Sequence, residues 1–390
     1  MDHPTMIAGD TSTATDLSSV LTTKIEAAPA TLEPDTDDGT RQARQCPLTG
    51  SWTLFAPERN ERPMEFIESR ERKRSDLDCP FCAGNEDQTP PELWRDTASD
   101  DESWNVRVVP NKYPAVGGVC RNDSPADPRS ILVDRGVGGA HEVIIEGNRH
   151  VESIAEMKAT EVEAIFKAYQ ARLRYHAELA RSGQSNTAYV SIFKNVGCDA
   201  GASLSHSHSQ LVATDFVPTA VENVRNRMLK YRAKTGCCLL CDTIREEYAN
   251  RSRVIARDAH TIAYCPHASE HAMQVRITSR QHHGGLEDLD PVALRSVAFM
   301  VHRVIGWLDQ IRPSVAYNYV IRNRPFDKVD ASDAFHWSLD ILPRTSKMAG
   351  YELGTGCMIN PVLPETAARM YRHQAAKEDF RRVGEDPLNV

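Results

Sequence analysis

The sequence has 390 residues, is 41% hydrophobic and carries a formal net charge of −8. That length suits two domains better than one, and the acidic balance excludes a surface that wraps a polyanion, while a local basic site for one small phosphate ligand stays allowed. No apolar run is long enough to span a bilayer, and the start Met1-Asp2-His3-Pro4 shows no basic and then apolar leader. A cytoplasmic protein with no membrane partner is expected, and in that reducing compartment the ten cysteines are metal ligands or buried thiols rather than disulfides.

Residues 1–45 are rich in Thr, Ser, Ala, Asp and Pro and are expected to be disordered, with a short helix over Thr15–Ala27 as the alternative. Order is expected from Cys46-Pro47-Leu48-Thr49-Gly50, a turn that leads into a strand at Ser51–Phe55. The charged stretch Glu68–Asp78 reads as a solvated loop. A strand is predicted at His141–Glu146. A helix follows over Ala159–Ala180, with Val162, Ile165, Phe166, Tyr169 and Leu173 on one stripe. Ala188–Lys194 is again a strand.

The same order recurs. Gln274–Thr278 is predicted as a strand, Asp290–Gln310 as a helix with Leu294, Val297, Val301, Val304 and Leu308 on one face, and Ala316–Arg322 as a strand. Ala188-Tyr-Val-Ser-Ile-Phe-Lys194-Asn195 resembles Ala316-Tyr-Asn-Tyr-Val-Ile-Arg322-Asn323. Each copy carries a Cys-x-x-Cys and two histidines, with 56 residues from His150 to His206 and 54 from His282 to His336. Together these features imply an internal duplication. The expected domains are 46–217 and 235–390, joined by a linker at 218–234.

Cys-x-x-Cys spacing lets two thiolates face one tetrahedral cation. Cys79, Cys82, His150 and His206 are expected to hold one zinc, and Cys238, Cys241, His282 and His336 a second. Mixed thiolate and imidazole donors favour zinc over a hard cation, and four protein ligands leave no open position, so both metals would brace the fold. A redox pair or coincidence is the plainer reading of one such motif, but two with matched histidines weaken it. Cys237 competes with Cys238, and His141, His260 and His283 are rival third ligands. Cys46, Cys120, Cys198, Cys265 and Cys357 are expected to be buried or incidental thiols.

The sharpest feature is Asn195-Val-Gly197-Cys-Asp-Ala-Gly201-Ala-Ser203-Leu-Ser-His206-Ser-His208-Ser-Gln210. On a strand, His206, His208 and Gln210 share a face, and the glycine-containing loop can bring backbone N–H groups to a phosphate. A neutral imidazole attacks phosphorus competently. With His206 on a metal, His208 is the free nucleophile; a pair of structural histidines is the competing interpretation.

His-x-His-x-Gln resembles the active-site strand of the galactose-1-phosphate uridylyltransferase branch of the histidine-triad superfamily. So do Pro47-Leu48-Thr49-Gly50-x-Trp52, Arg59-x-x-Arg62-Pro63, Cys79-Pro-Phe-Cys82-x-Gly84-Asn85-Glu86, Val109-Pro110-Asn111-Lys112-Tyr113-Pro114 and His336-Trp337-x-x-x-Ile341-Leu342-Pro343-Arg344. The resemblance runs from about residue 46 to the end. It implies an α+β fold of duplicated histidine-triad-like domains, each an antiparallel sheet with flanking helices. It also implies a double displacement in which His208 takes UMP from UDP-glucose and passes it to a hexose 1-phosphate. Gln210 stands where hydrolytic relatives carry a third histidine, and an amide donates a hydrogen bond but shuttles no proton. Asn111, Asn195 and Ser203 are implied near nucleotide and phosphates, and Arg59 and Arg62 at the mouth of the site. The second copy keeps only His336 of the triad and should be inert. A homodimer is implied by the resemblance, although nothing in the sequence itself demands one.

Near the C-terminus Gly350-Tyr351-Glu352 matches the hexose-gripping loop of the uridylyltransferases, but Gly354-Thr355-Gly356 does not. That glycine pair, His-Ser-His-Ser-Gln and the second Cys-x-x-Cys resemble ADP-glucose phosphorylases of the same branch, which pass an adenylyl group to inorganic phosphate. A Gly-Thr-Gly turn could cradle that phosphate through backbone N–H groups. A zinc-ribbon nucleic-acid binder is the reading of another class, and the acidic balance argues against it. A nucleotide hydrolase is argued against by Gln210.

Overall fold

A computed structural model describes residues 26–27, 41–61, 79–97, 103–117, 131–132, 136–327 and 333–384. The expected helix over Thr15–Ala27 falls mostly outside these residues; Glu26–Ala27 forms a strand, β1. The expected loop Glu68–Asp78 also lies outside them. Regular structure also lies upstream of Cys46, because Gln42–Gln45 (β2) pairs antiparallel with Trp52–Phe55 (β3) across the Cys46–Gly50 turn.

The remaining strands of the N-terminal half are β4 (Trp94–Thr97), β5 (Trp104–Pro110), β6 (Gly139–Glu146), β7 (Tyr189–Val196) and β8 (His208–Thr214), with helix α1 at Ala159–Arg181 between β6 and β7. Helices α2 (Thr219–Thr235) and α3 (Leu239–Asn250) follow, so the expected linker is helical. The C-terminal half comprises β9 (Val254–Arg257), β10 (Thr261–Tyr264), β11 (Val275–Ser279), α4 (Pro291–Ile311), β12 (Tyr317–Arg322) and β13 (Ser338–Pro343). The chain ends with α5 (Gly350–Thr355), β14 (Met358–Asn360) and α6 (Pro364–Gly384).

Eleven strands form one sheet in the order β1-β9-β10-β11-β13-β12-β7-β8-β6-β5-β4. Outward from the centre, the order is β7, β8, β6, β5, β4 on one side and β12, β13, β11, β10, β9 on the other. At the centre β7 and β12 pair antiparallel, with Ile192 opposite Ile321, Phe193 opposite Val320 and Asn195 opposite Asn318. A strand–helix–strand–strand run, β6-α1-β7-β8 and then β11-α4-β12-β13, occurs on each side. The two halves thus share one continuous sheet. The molecule is a mixed α+β fold with a large antiparallel sheet. β2, β3 and β14 make a separate three-stranded sheet.

Helices α1 and α4 form where the sequence periodicity places them. Asp290 accepts hydrogen bonds from the N–H groups of Val292 and Ala293, and Pro291 sits at the first helical position, so α4 starts there. The stripe Val162, Ile165, Phe166, Tyr169 and Leu173 is at most 1% exposed and enters one core with Leu294, Val297, Val301, Val304 and Leu308 of α4. α1 and α4 pack against each other and against the sheet in this core, while α2 and α3 pack with Val254, Ile262 and Tyr264 in a second one. No described helix is long and apolar enough to cross a membrane.

Phe166 is fully buried between sheet and helices. Phe166→Ala should cost about 3–5 kcal/mol, seen as a lower urea midpoint of unfolding, whereas Ala substitution of the exposed Tyr175 should move it little.

Candidate functional site

The Cys79-Pro-Phe-Cys82 turn closes with the Cys82 N–H on the Cys79 carbonyl at 3.3 Å, and Asn85 Nδ2 donates to the same carbonyl at 2.8 Å. It faces His150 and His206. The four ligand atoms lie within 4.8 Å of one another. Sulfur-to-nitrogen separations are 3.5 Å for Cys79–His206, Cys82–His150 and Cys82–His206, all to Nδ1. Tetrahedral bonds of ~2.3 Å to sulfur and ~2.05 Å to nitrogen give an edge of ~3.6 Å, so the donors already stand at the corners of a metal polyhedron. The outer nitrogens are held as well: His206 Nε2 donates to the Gly147 carbonyl at 3.1 Å, and His150 Nε2 meets Ser205 Oγ at 3.3 Å. Burial pulls the His206 pKa down to about 4, against the pull of the Gly147 carbonyl, which keeps it neutral as a ligand must be.

The second cluster repeats the pattern. Cys238 caps α3 and Cys241 lies in its first turn, where the helix N-terminus favours thiolate. Cys241 Sγ is 3.6 Å from His282 Nδ1 and 3.4 Å from His336 Nδ1, and Cys238 Sγ is 3.9 Å from His336 Nδ1. Both sets fit a tetrahedral cation. The rivals Cys237, His141, His260 and His283 stand outside both sets. Among the incidental thiols Cys46 and Cys265 are buried, whereas Cys198 is exposed.

β8 starts at His208, so His206 precedes the strand rather than sharing its face with His208 and Gln210. The metal turn takes His206 out of the ladder. His208 is 6% exposed, and its Nδ1–H donates to the His206 carbonyl at 2.8 Å. Nε2 therefore carries the lone pair. Burial lowers the pKa of this imidazole, and the Lys194 ammonium adds to that. The Phe81 ring, between the first two cysteines, stands edge-on to His208 with centroids 5.4 Å apart. Gln210 Oε1 lies 2.8 Å from His141 Nε2, and Asn111, just past β5, places Nδ2 3.1 Å from that nitrogen.

Beneath His208, on the helix side of the sheet, the buried Lys194 ammonium donates to Glu146, to Ser207 Oγ at 2.7 Å and to the His208 carbonyl at 3.2 Å. Glu146 also accepts from Tyr169 at 2.8 Å and from Ser209. Burial pushes the Glu146 carboxyl up, but Lys194 and the hydroxyls outweigh it and hold it below its usual range. Sequence reasoning missed this pair. Charged residues inside strands with apolar neighbours were its only signal.

Asn195 lies at the end of β7. Its Oδ1 accepts from Asn318 Nδ2 at 2.8 Å; Asn318 also donates to the Ala200 carbonyl at 2.8 Å and accepts from Arg344 Nε at 2.5 Å. Gly197 opens the glycine-containing loop at φ 80°, and a Cβ there would come within 2.9 Å of the Ala316 side chain, so only glycine fits. Ser203 is exposed on a cavity of ≈ 640 Å³ beside the loop, lined also by Glu152, Asp309 and Tyr317. Arg59 is exposed in the 3-10 turn Pro57–Glu61, and Arg62 lies outside the described residues.

The C-terminal segment differs from expectation. Gly350, Tyr351, Glu352 and Gly354 lie on the short helix α5, and Gly356 caps it at φ 67°. Glu352 accepts from the Ala349 N–H at 3.0 Å, so it caps its own helix. The Gly354-Thr355-Gly356 stretch is no open phosphate cradle. The Gly356 N–H is used on the Glu352 carbonyl, and Thr355 Oγ1 accepts from Cys357 N–H while donating to the Tyr351 carbonyl. α5 packs beside β14 rather than β8. From this segment Lys347, 3.4 Å from Asp199, reaches the glycine-containing loop.

In the C-terminal half Ser338 and Asp340 follow His336 at the spacing of His208 and Gln210 after His206. Asp340 is buried and gripped by Arg276 at 2.7 and 2.8 Å and by Arg322. Ion pairs thus fill the position that corresponds to Gln210.

Fold and clusters together define a protein of the uridylyltransferase architecture. A solved structure described as "Structure of uridylyltransferase" superposes with a TM-score of 0.66 at 21% identity, over 87% of this chain and 99% of that one. Residues 30–218 match the family described as galactose-1-phosphate uridyl transferase, N-terminal domain. The ADP-glucose phosphorylase of Arabidopsis thaliana is 31% identical over 85% of this chain and 92% of its own length. Its structure with bound ADP-glucose superposes with a TM-score of 0.71 at 30% identity, covering 85% of this chain and 99% of that chain. The galactose-1-phosphate uridylyltransferase of Thermotoga maritima is 24% identical over 85% of this chain and 98% of its own. The chain belongs to the galactose-1-phosphate uridyl transferase family, a nucleotidyltransferase family whose members act on sugar phosphates.

Glu146→Gln would leave the Lys194 ammonium buried without a counter-charge, at a cost of about 3–5 kcal/mol. Because the folded Glu146 pKa lies below its unfolded value, its contribution is complete above the unfolded pKa of ~4.3 and is lost as pH falls through the folded pKa. Thermal unfolding from pH 7 down to pH 3 should therefore show acid destabilisation that is shallower in Glu146→Gln.

Proposed function

We propose that this protein moves a nucleoside monophosphate between phosphate acceptors, carrying it covalently on His208 Nε2. The observation that carries the reading is the hydrogen bond from His208 Nδ1–H to the His206 carbonyl, which leaves Nε2 unprotonated while a tetrahedral cluster fixes His206. Nε2 attacks the α-phosphorus of a nucleotide sugar, the N–P bond forms and the P–O bond to hexose 1-phosphate breaks. The leaving group is already a stable anion and needs no strong general acid. The Nδ1–H bond to the carbonyl steadies the cationic ring as the charge develops. A phosphate acceptor then takes the nucleotidyl group and frees Nε2. Gln210 donates to a phosphoryl oxygen. Asn195 and Ser203 are assigned to the His208 end of the sheet and Asn111 to the neighbourhood of Gln210 and His141, Arg59 and Arg62 to the mouth of the site, and Gly350–Gly356 to the hexose side.

The transferred group is adenylyl and the acceptor inorganic phosphate on the reading the relatives favour, since the ADP-glucose phosphorylase is 31% identical against 24% for the Thermotoga maritima uridylyltransferase. Transfer of UMP from UDP-glucose to a hexose 1-phosphate is the second reading, supported by Gly350-Tyr351-Glu352. Intact mass after mixing with ADP-glucose or UDP-glucose in turn separates them, since the adduct mass names the base. Steady turnover without any acceptor would instead indicate a hydrolase.

The chain is further read as two histidine-triad-like halves, 46–217 and 235–390, a duplication supported by the mirrored strand order about β7 and β12. Only the first half keeps the nucleophile. Zinc is assigned to both clusters on their mixed sulfur and nitrogen donors, and its role would be to hold the chain. The site of action is assigned to the cytoplasm, and assembly to a homodimer.

His208→Ala should fold normally and form no adduct with either nucleotide sugar; an adduct on that variant would reassign the nucleophile. His208→Gly should regain turnover with added imidazole. Elemental analysis should find two zinc ions per chain, falling to one in Cys79→Ser with clear loss of stability, and protein free of zinc would remove the metal assignment.

A further inference from the structure

His141 is a residue whose role the sequence left as a rival metal ligand. It stands in β6, outside both metal clusters, among three groups of the reacting end. Its Nδ1 faces the backbone N–H of Ala115 at 3.0 Å, so Nδ1 accepts. A neutral imidazole carries one proton, which therefore sits on Nε2. Two groups face that N–H: Gln210 Oε1 at 2.8 Å and Asn111 Nδ2 at 3.1 Å. Only the oxygen can accept. The bond thus runs from His141 to Gln210 and settles which end of the Gln210 amide points inward. Its NH2 group is turned the other way. Gln210 and His208 share a face of β8, roughly 7 Å apart along the strand, a separation that a phosphoryl group held on His208 Nε2 and a donor on Gln210 can bridge.

The same residue anchors the turn after β5. The Asn111 N–H donates to the His141 carbonyl at 2.8 Å, and Asn111 Oδ1 accepts from the Tyr113 N–H at 2.8 Å. The turn Asn111–Ala115 is therefore fixed to His141 by backbone and by ring.

We propose that His141 is a positioning residue that locks the Gln210 amide with its N–H groups toward the transferred phosphoryl group, and ties that orientation to the turn Asn111–Ala115. Its catalytic consequence rests on the function proposed above; its structural content does not. A freely rotating amide presents its oxygen to the phosphoryl oxygens in half of its orientations, and lone pair then faces lone pair. A locked amide is a preorganised donor, and such a donor is worth about 100-fold in rate.

Two substitutions separate the roles of the ring. His141→Asn keeps an acceptor near Nδ1 for Ala115 but ends short of Gln210. His141→Gln places an amide N–H near Nε2. The rate of nucleotidyl-histidine formation at saturating ADP-glucose or UDP-glucose should fall about 10- to 100-fold in His141→Asn, with KM within a few-fold, and recover in His141→Gln. In a Gln210→Ala background His141→Asn should cost little more, because the two residues act as one unit. Selective 15N-glutamine NMR of the resting protein should show the Gln210 side-chain amide as one sharp pair, shifted or broadened in His141→Asn and restored in His141→Gln. An equal rate loss in the Gln210→Ala background, or Gln210 amide signals unchanged by His141→Asn, overturns the proposal. If the wild-type chain forms no adduct with either nucleotide sugar, the functional reading falls, and the amide signals alone decide the role of His141.

Discussion

The buried pair of Lys194 and Glu146 ties β6, β7, β8, α1 and β12 to one another. Lys194 comes from β7 and Glu146 from the end of β6, and both side chains are fully shielded from solvent. Taking two charges out of water costs several kcal/mol per ion, and attraction offsets this only if every remaining donor and acceptor is used. Here they are used. Tyr169 of α1 and Ser209 of β8 donate to Glu146, and Lys194 reaches Ser207 and the His208 carbonyl. Tyr319 of β12 joins through the Tyr169 hydroxyl. Three strands of one half, its helix and the first strand across the seam meet at one ionic centre, and the carbonyl of His208 is part of it.

That centre works on His208 from below, while the Cys79–His206 cluster works from the N-terminal side. The backbone on either side of the His208 imidazole is thus pinned by two unrelated devices, and the Nδ1–H bond to the His206 carbonyl restrains the two side-chain torsions of the ring. In the role proposed for it, His208 would gain from such fixing, because misplacement by about 1 Å can cost 100-fold in rate. The C-terminal half has the cluster, but Ser338 stands where the first half has the His208 imidazole. Arg276 and Arg322 close on Asp340, so the corresponding surface is packed with charge and holds itself shut.

Much of this was legible in the sequence for simple reasons. The stripes of α1 and α4 are set by a period of 3.6, and Asp290-Pro291 announces its own helix start. The two ligand sets were readable because cysteine pairs and histidines recurred at matched intervals, and the eight residues do converge as two tetrads. What was hidden depends on through-space partners. Nothing local marks His141 as the partner of Gln210, or Asn318 as the partner of Asn195, since 69 and 123 residues separate those pairs. The Gly354-Thr355-Gly356 stretch misled for the opposite reason. Glycines suggest a turn with free N–H groups, but a residue pattern does not reveal that a helix one turn long has already used those groups.

The seam ties the second half to the end of the sheet that carries His208. Asn318 lies directly opposite Asn195 in the β7–β12 ladder, and its amide donates both to Asn195 and to the Ala200 carbonyl in the glycine-containing loop. Arg344, just after β13, accounts for the remaining Asn318 oxygen. The bond to Oδ1 fixes the orientation of the Asn195 amide. The loop that begins at Gly197 is likewise held against Ala316, at a separation that admits no side chain. Replacing the C-terminal half by an unrelated partner would therefore remove the groups that orient Asn195 and shape the loop, even with every residue of β8 intact. Sheet continuity across the seam is part of the construction of the reacting end, and this is a physical reason for the two halves to stay in one sheet.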